Sequence, residues 1–126
     1  MANRIPSTSP DATSELALSI EPSFAAVSYA ASGAIGIKEG VAALTGSSAL
    51  AMTLVAPTAG LPSAGGDDGK TLHIIGLQAE AHTVTTPANA INGNKHIATF
   101  AAIADHVHLT AWNGVWYASD NSTTLS

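Results

Sequence analysis

Two runs of alternating side chains, residues 106–112 (HVHLTAW) and 115–119 (VWYAS), meet at Asn113-Gly114. Asn-Gly between alternating runs is the strongest short-range signal for a β-hairpin, because a two-residue type I′ turn needs positive φ at both positions. Cross-strand partners share a face, so the turn dictates the pairing. Trp112 pairs with Val115, Ala111 with Trp116, Thr110 with Tyr117 and Leu109 with Ala118. One face then carries Val107, Leu109, Ala111, Trp116 and Ala118 and is the expected core face. The other carries His108, Thr110, Trp112, Val115, Tyr117 and Ser119, a mixed surface holding two large amphipathic rings, the type enriched where apolar surface meets water or a partner.

Other short runs share the period of two. Leu16, Leu18 and Ile20 alternate with polar or small residues and stop at Pro22. Leu50, Met52 and Leu54 alternate with Ala51, Thr53 and Val55 and stop near Pro57. Leu72 and Ile74 oppose His73 and Ile75, and residues 81–87 (AHTVTTP) are rich in β-branched side chains. Residues 33–46 (GAIGIKEGVAALTG) predict strand, tight turn, strand, with Lys38-Glu39-Gly40 at the turn. Residues 58–69 (TAGLPSAGGDDG) predict a loop. Residues 96–105 (HIATFAAIAD) predict an extended segment, with a short helix over 98–104 as the alternative. About eight short strands at close spacing predict an all-β fold, a small antiparallel β-sandwich or partly closed barrel. The polar, proline-containing start predicts an extended N-terminal arm over residues 1–30 ahead of a single β domain over 31–126.

Composition narrows the function. Only 10% of the 126 residues are charged, against roughly 25% in an ordinary soluble domain, and the net charge is −5. Arg4, Lys38, Lys70 and Lys95 are the only cationic side chains besides histidine, so no basic patch for nucleic acid is expected. The core is rich in alanine and poor in aromatics, so each burial stabilises little, and a thin core of this kind leans on partner subunits. Without cysteine there is neither a disulfide framework nor a thiolate site. Residues 40–66 are uncharged, but their prolines and glycines are spaced as turns, so no membrane span is expected, and the first residues do not read as a signal peptide.

Candidate chemistry is sparse. His106 and His108 point to one face of a strand and can share a metal, but His73, His82 and His96 lie on other strands and no carboxylate stands at a supporting spacing, so no metal and no other cofactor is expected. Asp67-Asp68-Gly69 lacks the alternating oxygen ligands of a calcium loop and reads as a tight solvated turn. No G-x-S-x-G elbow, paired carboxylates or phosphate loop occurs. The expectation is therefore that the protein is no enzyme and has no catalytic residues. A metal-dependent hydrolase using His106 and His108 is the enzymatic alternative.

The stretches AIGIKEGVAALTG (34–46), TLVAPTAG (53–60), DDGKTLHI (67–74), AHTVTTPANAING (81–93), ATFA (98–101) and DHVHLTAWNGVWYA (105–118) resemble small structural proteins of tailed bacteriophages, of the capsid-decoration or head-fibre type. The resemblance spans residues 34–118 and rests on fold-forming motifs. It implies a cement protein on the outer surface of the phage head (the capsid), a homotrimer bound to the major capsid protein, with no cofactor. The expected contacts are Ile5, Leu16, Leu18 and Ile20 of the arm together with His108, Trp112 and Tyr117 of the hairpin. The alternative is a fibre-tip or head-fibre module that binds a host-surface glycan through Trp112 and Tyr117.

Overall fold

The computed structural model describes residues 25–126. It holds ten strands: β1 (Ala26–Tyr29), β2 (Gly33–Ala34), β3 (Gly40–Leu44), β4 (Ala51–Thr53), β5 (Thr71–Gly76), β6 (His82–Thr85), β7 (Ile97–Phe100), β8 (His106–Trp112), β9 (Val115–Ser119) and β10 (Thr124–Leu125). A single 3-10 turn, Pro62–Ala64, is the only helical element among the described residues. The strands form two five-stranded sheets, in the orders β9-β8-β5-β3-β1 and β10-β7-β6-β4-β2. The fold is thus an all-β sandwich, not closed into a barrel.

Its sheets are mixed rather than antiparallel. From β1 to β6 the chain alternates between the sheets, so β1, β3 and β5 run parallel in the first, and β2, β4 and β6 run parallel in the second. Three flat coils are stacked side by side, each contributing one strand to each sheet. Antiparallel pairing begins at β6 with β7, and continues with β8 against β5, β9 against β8 and β10 against β7. The expected hairpin over 33–46 does not form. Its two strands lie in opposite sheets, and Lys38-Glu39-Gly40 is the corner between them. Gly40 explains the difference. Its φ is 103°, and a Cβ there would come within 2.0 Å of the Ala25 carbonyl oxygen. The chain passes so close to β1 that Val41 N–H donates to Ala25 O at 2.8 Å, an approach open only to glycine.

β1 lies inside the segment expected to be the arm, yet it is the edge strand of the first sheet, so the β domain begins before residue 31. The remainder of that arm, with Ile5, Leu16, Leu18 and Ile20, lies outside the described residues.

The alternation in sequence accounts for the core. Ala42, Ile74 and Val107 form one inward row across the first sheet, and Leu72 with Leu109 another. Leu50, Met52, Leu54, Val84, Ala98 and Phe100 face them from the second sheet's side. Trp116 and Phe100 supply the bulk that alanine cannot, and both are fully buried. Trp116 stands opposite Ala111, so the largest side chain is paired with one of the smallest, which keeps the layer filled without overpacking. Its Nε1–H donates to the Val55 carbonyl at 2.9 Å, giving the indole nitrogen the partner that burial demands.

Candidate interaction face

The hairpin register is the one expected from Asn113-Gly114: Val115 opposite Trp112, Trp116 opposite Ala111, Tyr117 opposite Thr110 and Ala118 opposite Leu109. Asn113 has φ 51° and Gly114 φ 82°, both in the left-handed region the turn requires. His108, Trp112 and Tyr117 consequently share the outward face of the first sheet, with Trp112 53% and Tyr117 46% exposed.

The strands beside the hairpin extend this face. β5 adds His73 and Ile75, and β3 adds Val41 and Ala43, all half-buried on the outward side. These outward positions of β3, β5, β8 and β9 include no Lys, Arg, Asp or Glu. No second layer covers them among the described residues. A face with two exposed aromatic rings, aliphatic neighbours and no fixed charge matches the make-up of protein-contact surfaces.

The hairpin is held rigidly behind that face. Asn113 N–H donates to Asp68 Oδ1 at 2.8 Å. Gly69 N–H donates to Ala111 O, and Ala111 N–H to Lys70 O, each at 2.8 Å. The free edge of β9 is covered as well. Trp116 N–H donates to Ala90 O, Asn92 N–H donates to Trp116 O, and Asn92 Oδ1 accepts Ala118 N–H. This edge cannot template another strand, so contact at this end of the sheet is through side chains.

Asp67-Asp68-Gly69 is not the solvated turn its sequence suggests. Asp67 is only 4% exposed and accepts three hydrogen bonds, from Lys38 Nζ at 2.8 Å, Thr58 N–H at 2.7 Å and Lys70 Nζ at 2.9 Å. The Lys38 ammonium, then the Thr58 amide and the Lys70 ammonium, hold its carboxyl well below the usual carboxylate range despite burial. Asp67 therefore ties the corner after β2, the long loop after β4 and the start of β5 into one knot beneath the hairpin.

The histidines stand in three environments, with His96 exposed and apart from the others. His82 is fully buried on the inner side of β6, where its Nδ1 accepts Leu50 N–H at 3.0 Å. His73, by contrast, lies outward, opposite His108 in the β5–β8 register. Its ring centroid is 5.6 Å from that of His108 and 5.9 Å from that of His106. The sequence pairs His106 with His108 but places His73 on an unrelated strand. Only the long-range pairing of β5 with β8 brings the third ring to them. Asp105 accepts Ala101 and Ala102 N–H on one carboxylate oxygen and the Ser122 hydroxyl on the other, whereas Asp120 Oδ1 is 3.5 Å from His106 Nε2.

No family model matches the chain, and neither a curated protein nor a solved structure shows significant similarity to it.

Proposed function

We propose that the chain is a virion structural protein of the capsid-decoration type, binding the outer surface of a phage head as a homotrimer and stabilising the shell. The observation that carries this reading is the uncharged outward face of the first sheet, with Trp112 and Tyr117 exposed on a hairpin that backbone and Asp68 hydrogen bonds fix in place. The resemblance of residues 34–118 to decoration and head-fibre proteins supports the same reading. A rigid aromatic face loses little conformational freedom on docking, which favours binding without rearrangement. The action is passive: a protein that binds the assembled shell and not its dissociated subunits stabilises the shell by mass action. No catalytic residue, cofactor, nucleic acid or membrane enters this mechanism, and the partners are the major capsid protein and two further copies of the chain.

The test compares particles carrying the wild-type protein, particles stripped of it, and particles re-decorated with the double variant Trp112→Ala, Tyr117→Ala. Decorated heads should release their genome at higher temperature or after stronger osmotic shock than stripped ones, and the double variant should fail to restore the difference. Identical release from decorated and stripped particles would sink the cementing role. The same two rings favour a second reading, a head-fibre module that stacks a host glycan on Trp112. Glycan-array binding that vanishes with Trp112→Ala, in a protein that leaves head stability unchanged, would select it.

A further inference from the structure

We propose that His73, His106 and His108 form a site for one divalent transition-metal ion, of the zinc, nickel or cobalt class, on the outward side of the first sheet. The site concerns the chain itself and stands whether or not the protein is part of a virion.

Geometry is the first argument. The two-residue period sets His106 and His108 on one side of β8, and the register of β5 sets His73 directly across from His108. The centroid separations from His73, 5.6 and 5.9 Å, are close to the roughly 5 Å expected for two imidazoles sharing a tetrahedral ion at 2.0–2.1 Å from each nitrogen. Among the described residues no group of three donor side chains stands close enough together, as the rings now lie, to hold an ion, so binding requires the three rings to turn about their side-chain torsions.

Unused donor capacity is the second argument. His73 Nε2 is shielded from solvent and has no hydrogen-bond partner. A buried nitrogen left without a partner costs free energy, and it sits on the ring that faces both other histidines. His106 Nδ1–H donates to the Ala104 carbonyl at 3.0 Å, which leaves Nε2 as the nitrogen for an ion, in place of the proton it shares with Asp120 Oδ1. A backbone carbonyl on the second ring nitrogen is the outer-shell arrangement that orients a metal-bound histidine. His106 Nε2 in turn lies 3.5 Å from Asp120 Oδ1, and this exposed carboxylate is placed to serve as a fourth, oxygen ligand.

Three imidazoles and one carboxylate suit zinc, nickel, copper or cobalt, and do not suit magnesium or calcium, which prefer oxygen. An ion held here would clip β5 to β8 across the middle of the sheet.

The test uses the full chain, freed of metal with a chelator and dialysed. Zinc is titrated by calorimetry, and cobalt by its visible absorption. The expected result is one ion per chain, a tetrahedral-type cobalt spectrum that zinc displaces, and a higher unfolding temperature with zinc. His73→Gln and His108→Gln should each weaken binding by at least about tenfold, while His96→Gln, outside the cluster, should bind like wild type. His108→Gln alters a half-exposed ring and keeps the test valid if His73→Gln fails to fold. Absence of saturable binding would overturn the proposal, as would binding that survives both cluster variants. A stoichiometry of one ion per two or three chains would also overturn it, since the ion would then bridge copies rather than complete a site within one.

Discussion

Asp68 and Asn113 are 45 residues apart in the chain, yet the Asp68 carboxylate accepts the Asn113 backbone N–H at 2.8 Å. The acidic loop is thereby fastened to the tip of the last hairpin, and the exposed Trp112 is presented from a fixed base. Asp68→Ala should remove a hydrogen bond to a charged acceptor and cost about 1–2 kcal/mol. Gly114→Ala, at φ 82°, should cost about 1–2 kcal/mol because a side chain is strained in the left-handed region. Urea unfolding checks both. The midpoint should fall with the slope unchanged.

The two tryptophans should respond oppositely to the same substitution. Trp116 is fully buried and its indole nitrogen donates to Val55 O, so Trp116→Ala should cost about 3–5 kcal/mol. Trp112, on the outward face, should tolerate alanine within about 0.5 kcal/mol. In the Trp112→Phe variant the remaining fluorescence should be blue-shifted and resist acrylamide quenching. Emission typical of a solvated indole would show Trp116 to be outside the core.

Acid should loosen the fold through Asp67. Its folded-state pKa is depressed, chiefly by Lys38, then by the Thr58 amide and Lys70. The native state therefore binds fewer protons than the unfolded chain as pH approaches the ordinary carboxylate value. The stabilisation is fully present above about pH 4 and is lost as pH falls below it. Asp105, whose carboxylate is held down by the Ala101 and Ala102 amides, acts in the same direction. Thermal unfolding between pH 7 and pH 2 should show this decline. Asp67→Asn should be less stable at pH 7 by about 2–3 kcal/mol and should vary less with pH in the acid range.

Gly40→Ala tests the corner that replaces the expected hairpin. The added methyl would meet the Ala25 carbonyl at 2.0 Å and sit at positive φ, so β1 must part from β3 for it to fit. Hydrogen exchange should show the Val41 and Thr45 amides, which donate to Ala25 O and Tyr29 O, losing protection while the β8–β9 amides keep theirs. Protection unchanged at Val41 would mean the close approach is not needed.

What could be read in the sequence was local. Asn113-Gly114 dictates both its turn and the pairing of every residue in the hairpin, and the period of two assigns Leu50, Met52, Leu54, Leu72 and Ile74 to the interior without knowledge of their neighbours. Strand direction was not legible, because alternation is the same in parallel and antiparallel sheets, and the parallel partners are joined by no diagnostic turn. Ala42 pairs with Ile74 at a separation that no local signal encodes. The His73–His108 contact depends on the same kind of long-range register and was hidden for the same reason. Asp67 misled because burial of a carboxylate depends on Lys38 and Thr58 arriving from elsewhere in the chain, and its own neighbours resemble an ordinary solvated turn.

The stacked coils bear on how the protein is made. Each of β1, β3 and β5 leaves one side of its backbone open until the next coil is laid beside it, and β5 is closed only by β8, more than thirty residues further on. A nascent chain that exposes β5 before β8 therefore carries an unpaired parallel edge. An edge of that kind can pair with the same strand of a neighbouring nascent chain. The time between the emergence of β5 and the emergence of β8 then sets how long the chain is exposed to that misassembly, and lengthening it should lower the yield of folded protein without changing the stability of the molecules that do fold.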